Sequence, residues 1–412
     1  MSGLGSCVVP PDASKPMITV IGIGADGWTS VPETSWRRLL TADVILGGAR
    51  HLAMLPDTLD VVREPWPSPL RDNLPALLER HAGLDIVALA SGDPLVSGIG
   101  STLIALLGEG AVRIEPALSS VALARARMGW AAEASAVVSV VGRDLHAVLR
   151  ELAPGWRVVV LSSDASTPDE LARLLVERGY GESAMTVLGD LGSAEESRAD
   201  ATAATWTGPA PALNVVALDL RGPVVGAWAA GLPDDAFEHD GQLTKRDVRA
   251  SALARLAPQP GQLLWDVGAG AGSVGIEWMR AHPRCWTIAV ESDAARAERI
   301  GRNAARLGVP NLRVVHGRAP ESLGDLPAPD AVFVGGGATA PGLLPACMER
   351  LSPGGRVVVH GVTLETESLL AAAYAEHGGE LTRLSVEHAA PIGSFSGWTP
   401  GRAVTQWSWS KP

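Results

Sequence analysis

From residue 17 onward, short apolar, β-branched runs alternate with longer stretches of helical period. The run 17–23 (MITVIGI) has the make-up of a buried strand, bounded by Gly22, Gly24 and Gly27. Similar runs follow at 44–46, 86–90 and 112–114, with helical segments such as 74–81 and 103–107 between them. Strands alternating with helices predict a mostly parallel sheet covered on both faces. A second set of runs lies at 137–141, 158–161, 185–188 and 213–219, with an amphipathic helix at 168–178 (PDELARLLVER). Several of its connections are hairpin-like, which predicts a mixed sheet. A fresh α/β series follows at Leu263–Val267, 287–291, 312–316, Ala331–Val334 and 356–360, read as five parallel strands.

The pattern divides the chain. Residues 1–16 carry no apolar core and read as a disordered tail, 17–221 as one domain of two α/β subdomains, 222–236 as a Gly/Pro-rich linker, and 237–412 as a second domain. The length of 412 residues fits this, being too long for one ordinary core. A net charge of −11 argues against a nucleic-acid partner, whose phosphates need a basic stripe. It leaves room for a polycarboxylate held in a locally basic pocket. The three cysteines are too far apart for metal-ligand spacing or a disulfide framework, and the nine histidines show no ligand spacing. No metal is expected. No apolar stretch approaches ~18 residues, so no membrane span is expected and the natural location is the cytoplasm.

The sharpest motif is 263–272 (LLWDVGAGAG), a strand ending in Asp266 and a turn with Gly268, Gly270 and Gly272. Such glycines let backbone approach a ligand and adopt positive φ. Glu291 ends the next strand, where a carboxylate can accept both ribose hydroxyls of a nucleoside. The segment 317–319 (GRA) ends the third strand near the expected adenine position, and 351–359 (LSPGGRVVV) adds a late turn and strand. The G-x-G-x-G spacing disfavours a dehydrogenase. For Asp266, a strand-end residue that only caps the loop is the simpler alternative.

In the first half, 22–27 (GIGADG) and 89–100 (LASGDPLVSGIG) are the glycine-rich turns. Asp93 before Pro94 reads equally well as a helix N-cap followed by its first residue.

Taken together, 241–250 (GQLTKRDVRA), the glycine loop, 291–293 (ESD), 317–320 (GRAP) and 334–337 (VGGG) resemble the decarboxylating precorrin methyltransferase domain, a Rossmann-like class I methyltransferase. That resemblance implies S-adenosylmethionine contacts at Thr244, Asp266, Gly268, Gly270, Gly272, Glu291 and Ala319. It also implies a homo-oligomer built through the C-terminal domain, a tetramer being one arrangement.

The ordered set of 18–24, 91–94 (SGDP), 115–121 (EPALSSV), 137–143 (VVSVVGR), 187–195 (VLGDLGSAE) and 214–217 (NVVA) resembles the tetrapyrrole methylase family over residues 17–221. The implied fold holds S-adenosylmethionine between two α/β subdomains, at Gly22, Gly24, Gly92, Asp93, Pro94, Ser119 and Ser120. One departure is Ala25-Asp26-Gly27, where the family has Gly-Pro-Gly. The segment 45–56 (ILGGARHLAMLP) resembles the precorrin-6Y branch. Arg50 and His51 in it either meet substrate carboxylates or cover a helix end at the surface.

A fusion of these halves implies one S-adenosylmethionine per half and a small corrinoid substrate. Two meso carbons would be methylated and one acetate arm would lose carbon dioxide. The meso carbon is nucleophilic and the sulfonium methyl electrophilic, so alignment and water exclusion are the main requirements. No strong catalytic base is obviously needed. Candidates for the substrate carboxylates in the C-terminal half are Lys245, Arg246, Arg318, His360 and Arg402. Two alternatives stay open: another planar acceptor, and a non-catalytic tetrapyrrole-docking N-terminal half.

Overall fold

The structure, a computed structural model, describes residues 18–224 and 228–412. The expected tail at 1–16 and part of the expected linker, 225–227, lie outside the described residues. Among the described residues two compact units are present, residues 18–143 with 154–222, and residues 144–153 with 223–224 and 228–412.

The first unit holds two five-stranded sheets. The first contains β1 (Ile18–Ile23), β2 (Val44–Gly47), β3 (Val62–Pro65), β4 (Ile86–Ser91) and β5 (Val112–Glu115), in the order β3-β2-β4-β1-β5. Every pairing is parallel. Helices α1 (Glu33–Thr41), α2 (Ala49–Ala53), α3 (Leu70–Arg80) and α4 (Ile99–Leu107) connect these strands. All six residues of β1 are buried. Ile18 and Val20 pack with α3 residues, whereas Ile21 and Ile23 join the opposite cluster with Leu39 and Leu52. Burial on both faces explains why β1 reads as an unbroken apolar run. Each such side chain contributes about 1.5–3 kcal/mol.

The second sheet contains β6 (Ala136–Ser139), β7 (Arg157–Leu161), β8 (Ala184–Gly189), β9 (Ser197–Thr202) and β10 (Asn214–Asp219), in the order β6-β7-β10-β8-β9. Only β6–β7 is parallel; the other pairings are antiparallel, giving the mixed sheet expected from the hairpin-like connections. Helix α5 (Ser120–Met128) precedes this sheet. Helix α6 (Thr167–Glu177) lies between β7 and β8, with Asp169 and Glu170 in its first turn, where carboxylates favour the helix dipole.

In the second unit, β11 (Leu263–Val267), β12 (Trp286–Glu291), β13 (Arg313–His316), β14 (Ala331–Val334) and β15 (Arg356–Gly361) are the five expected parallel strands. Two antiparallel strands extend the sheet: β16 (Glu380–Leu384) and the last strand, β19 (Val404–Ser410), which pairs with both β15 and β16. Between them, β17 (Glu387–Ile392) and β18 (Phe395–Pro400) form a separate hairpin. The helices are α7 (Arg246–Leu256), α8 (Ser273–Ala281), α9 (Ala294–Arg306), α10 (Leu343–Arg350) and α11 (Leu364–His377). Asp293 caps α9 by accepting from the Arg296 N–H, and Ala297, Ile300 and Ala304 form its buried stripe.

Two stretches depart from the sequence-based division. Residues 145–151, from the first half of the sequence, form a 3-10 segment of the second unit with Val148 and Leu149 buried. Gly308, at φ +82°, approaches it so closely that a Cβ there would lie 2.2 Å from the Arg150 nitrogen. Residues 231–236, read as linker, are also packed: Leu232 is buried, and the Gly231 and Leu232 N–H groups donate to Glu277.

Candidate functional site

In the first unit, three loops converge at the carboxyl ends of β1, β4 and β5. Their approach depends on Gly22, where a Cβ would lie 1.9 Å from the Gly92 oxygen and 2.5 Å from the Ala117 nitrogen. The Gly92 N–H donates to Ile23 O at 2.9 Å, and the Ala117 N–H donates to Gly92 O at 3.2 Å. Gly92 itself holds φ +52°. These bonds shape a cleft of about 380 Å³ lined by Gly24, Gly92, Asp93, Ser119 and Ser120, with Arg50 and His51 on the same wall.

Gly22 and Pro94 act behind this lining. The Pro94 carbonyl accepts from the Gly100 N–H at 3.1 Å and buttresses the start of α4. The Asp93–Pro94 pair does not begin a helix. Asp93 Oδ1 accepts from the Leu95 N–H at 2.9 Å, closing a tight turn, and α4 starts later, at Ile99. A short side chain satisfying its own loop two residues on won over the N-cap geometry. Ser119 caps α5, its hydroxyl accepting from the Ala122 N–H at 3.1 Å. In the departing turn, Ser30 Oγ accepts from the Gly24 N–H and donates to Gly27 O, which closes 24–27 without the family's Gly-Pro-Gly.

Arg50 and His51 sit on α2, beside Ser91 at the end of β4. Arg50 Nη2 donates to His51 Nε2 at 3.0 Å and to Ser91 Oγ at 3.1 Å, and His51 Nε2 lies 2.8 Å from Ser91 Oγ. Burial first, and then the neighbouring Arg50 charge, push the His51 pKa down to about 4. Ser91 was not singled out in the sequence as a site residue, although it stands at a strand end in the quoted loop.

The second unit's glycine loop is built on the same logic with different parts. Gly268, Gly270 and Gly272 all have positive φ. A Cβ at Gly268 would lie 2.8 Å from Gly336 O, and one at Gly270 would lie 2.9 Å from Gln242 O. Glu291 Oε2 accepts from the Gly270 N–H at 2.8 Å and Oε1 from the Asp293 N–H at 3.0 Å. Each oxygen keeps a further lone pair for a hydroxyl donor. Gly317 donates to Glu291 O at 2.9 Å, which brings Arg318, exposed, and Ala319, half-buried, beside the same strand end.

Asp266 faces inward. It is 1% exposed, its Oδ2 accepts from the Gly275 N–H at 2.9 Å, and burial, with Glu291 nearby, raises its pKa to about 7. It holds α8 against β11 from beneath the loop.

Residues 231–244 cover the glycine loop, and Arg249 on α7 ties them down. Its fully buried guanidinium donates to Glu277 Oε1 at 2.6 Å, Asp234 Oδ1 at 3.2 Å, Thr244 O at 2.5 Å and Leu232 O, and lies over the Phe237 ring. Thr244 is thereby fixed at the entry to α7. Lys245 pairs with Asp234 at 3.5 Å, and Arg246 is exposed beside Gly231. Sequence reasoning missed Arg249, because nothing in its spacing separates it from a solvated arginine.

His360 does not have the character expected of a carboxylate ligand. It is 7% exposed within β15, its Nε2 lies 2.9 Å from Gln406 Oε1, and it meets Phe333 edge-on at 4.9 Å. Burial pushes its pKa down to about 4, so the ring is uncharged near neutrality. Arg402 is exposed between the β17–β18 hairpin and β19. Among the described residues no group of three His, Cys, Asp or Glu side chains is placed to hold a metal ion. No described helix is long and apolar enough to cross a membrane.

Comparison with known proteins agrees with two sites of different construction. Residues 17–206 match the tetrapyrrole (corrin/porphyrin) methylases, and residues 235–411 match the precorrin methyltransferase domain. Fold and glycine loops thus define a two-unit tetrapyrrole methyltransferase. A relative from Sinorhizobium sp, named precorrin-6Y C(5,15)-methyltransferase [decarboxylating], is 45% identical over 405 residues, 97% of this chain and 98% of the relative. One of the same name from Mycobacterium tuberculosis is 46% identical over 400 residues, 96% of this chain and 100% of the relative. The chain belongs to the precorrin-6Y C(5,15)-methyltransferase (decarboxylating) family. A shorter relative from Pyrobaculum calidifontis, named a probable cobalt-precorrin-6B C(15)-methyltransferase (decarboxylating), is 36% identical over 175 residues, 40% of this chain and 88% of the relative. The crystal structure of the C-terminal domain of the Rhodobacter capsulatus precorrin-6Y C5,15-methyltransferase shares 45% identity over 45% of this chain and 100% of that chain, with a TM-score of 0.43.

Proposed function

We propose that the chain methylates meso carbons 5 and 15 of precorrin-6B/6Y and removes carbon dioxide from an acetate side chain, as a cytoplasmic step of cobalamin biosynthesis. The observation that carries this reading is the 45% identity, along nearly the whole chain, to a relative of that name. Methylation at carbon 15 with decarboxylation belongs to the second unit. The C(15) relative aligns over 175 residues, close to the span of the 235–411 match. Methylation at carbon 5 then falls to the first unit.

Both glycine loops fit S-adenosylmethionine: a cleft of about 380 Å³ opens beside Gly24 and Gly92 in the first unit, and in the second the positive-φ turn at Gly268, Gly270 and Gly272 lies against the Glu291 carboxylate. Gly24, Gly92, Asp93, Ser119 and Ser120 would hold it in the first unit, with Gly22 and Pro94 shaping the loops. Thr244, Gly268, Gly270, Glu291 and Ala319 would hold it in the second, with Asp266 and Gly272 in support. The group supplies an activated methyl; the chain supplies alignment and a water-poor wall. Arg50, Lys245, Arg246, Arg318 and Arg402 are the cations for the acetate and propionate arms. Of these, Lys245 must exchange its Asp234 partner for substrate.

The same reading has the chain as a homo-oligomer assembled through the C-terminal domain. The β17–β18 hairpin supports it, with Ile392, Phe395 and Trp398 exposed at 61%, 80% and 71%. Phe395→Glu is expected to lower the mass found by sedimentation.

The functional test is incubation of precorrin-6B with the chain and methyl-¹³C-labelled S-adenosylmethionine. Two labelled methyl resonances on carbons 5 and 15 are expected. Label on other carbons, or on one only, would contradict the reading.

A further inference from the structure

Methylation of a meso methine leaves a hydrogen that has to go. Once the carbon carries its new methyl group, the macrocycle is an iminium cation. Conjugation returns only when the C–H bond breaks and its electron pair refills the ring π-system. This deprotonation needs an acceptor inside the cleft of the first unit.

We propose that Ser91 and His51 form the proton relay that takes this hydrogen, with Arg50 fixing their orientation. The inference rests on the assignment of carbon 5 methylation to the first unit.

The hydrogen bonds settle the direction of the relay. A guanidinium only donates. Arg50 Nη2 reaches His51 Nε2 at 3.0 Å, so Nε2 is the unprotonated, accepting nitrogen and the ring proton is on Nδ1. Nδ1 is enclosed without a hydrogen-bond partner. Arg50 Nη2 also donates to Ser91 Oγ at 3.1 Å, occupying one lone pair there. The Ser91 hydroxyl hydrogen is therefore directed at His51 Nε2, 2.8 Å away, and shares that nitrogen's single lone pair with the Arg50 N–H. One Ser91 lone pair remains, on a side chain that is exposed and lines the cleft together with Gly92 and Asp93. In the step proposed, the substrate C–H proton passes to Ser91 Oγ while the Ser91 proton passes to His51 Nε2. The Arg50 hydrogen bond to that nitrogen breaks while the one to Ser91 Oγ is kept. The imidazolium so formed passes the proton back through Ser91 Oγ, the exposed end of the relay, to water once the product has left.

The surroundings suit a weak, always available acceptor. Burial, and then the Arg50 charge, keep the imidazole neutral, and Asp190, from the β8–β9 connection, is the carboxylate acting on Arg50. A neutral ring adds no charge to a cleft that must take a cationic methyl donor. A carbon acid next to an iminium is strong enough to lose its proton to a weak base. An arrangement serving only to bind a substrate carboxylate would need the Arg50 guanidinium but no ordered Ser91–His51 bond.

The test uses the full chain, S-adenosylmethionine, and precorrin-6B carrying hydrogen or deuterium at carbon 5. Ser91→Ala and His51→Gln are expected to slow carbon 5 methylation by on the order of 10²-fold. A primary deuterium isotope effect larger than that of the native chain should accompany the loss. Carbon 15 methylation and the number of S-adenosylmethionine molecules bound should stay unchanged, which verifies the fold. ¹⁵N NMR of the histidine-labelled resting protein should show one neutral imidazole protonated at Nδ1 that disappears in His51→Gln. Native rates without an isotope effect in both variants would overturn the relay and leave the function standing. Variants that lose carbon 15 methylation or bound S-adenosylmethionine as well would also overturn it, by showing a structural role. A native chain that places no methyl on carbon 5 would overturn the assignment to the first unit, and the relay with it.

Discussion

A methyl group at position 22 would meet the Gly92 carbonyl oxygen at 1.9 Å, and neither partner is a side chain that can swing away. Gly22→Ala must therefore push β1 from the 91–98 loop, at a cost of about 1–3 kcal/mol for such overpacking. Calorimetric titration should find S-adenosylmethionine binding reduced from two sites per chain to one. Two sites of native affinity would show that the convergence at Gly22 does not shape the cleft. Asp266 allows a different test. Its folded pKa of about 7 lies above the ordinary 3.8, so the folded chain holds this proton more tightly than the unfolded chain does. Its contribution to stability is full below about pH 4 and is lost as pH rises toward 7. Asp266→Asn keeps an acceptor for the Gly275 N–H and has nothing to titrate. Thermal denaturation between about pH 4 and 8 should show a flatter decline for the variant than for the native chain. Parallel curves would contradict the assignment of that proton to Asp266.

Among elements, the segment 231–244 and helix α7 show how the second site is closed. Arg249→Met would remove four hydrogen bonds and leave Glu277, 4% exposed, without its guanidinium partner. Breaking a buried ion pair in this way costs about 3–5 kcal/mol. A lower denaturant midpoint and weaker S-adenosylmethionine binding in the second unit are expected together. Lost stability with native affinity at both sites would separate Arg249 from the site. The elements themselves were unevenly legible. Strands such as β1, β11 and β14 announce themselves because burial on both faces makes them continuous apolar runs. Strand β9 (SRADAT) and the β17–β18 hairpin escape that signal, being largely exposed edge or hairpin segments with little apolar pattern. Strand β19 was missed although Val404 to Trp407 are buried, because a chain-end strand pairing antiparallel with β15 has no following helix to mark it. The glycine loops were readable from composition and order. Arg249, Ser91 and the burial of His360 were not, since each depends on which distant side chain folds against it.

At the scale of the whole molecule, two glycine-loop sites of unrelated construction lie on one chain, and the proposed function gives each one methyl transfer. Separate cofactor pools are not required, only two binding events, so native protein should titrate to two S-adenosylmethionine per chain. A value of one would favour a first unit that docks the corrinoid without acting on it. The most direct measurement is mass spectrometry of precorrin-6B after incubation with the native chain and S-adenosylmethionine. The expected product has gained two methyl groups and lost one carbon dioxide. A product with one new methyl and all its carboxyl groups, or unchanged precorrin-6B beside protein that still binds S-adenosylmethionine, would contradict it.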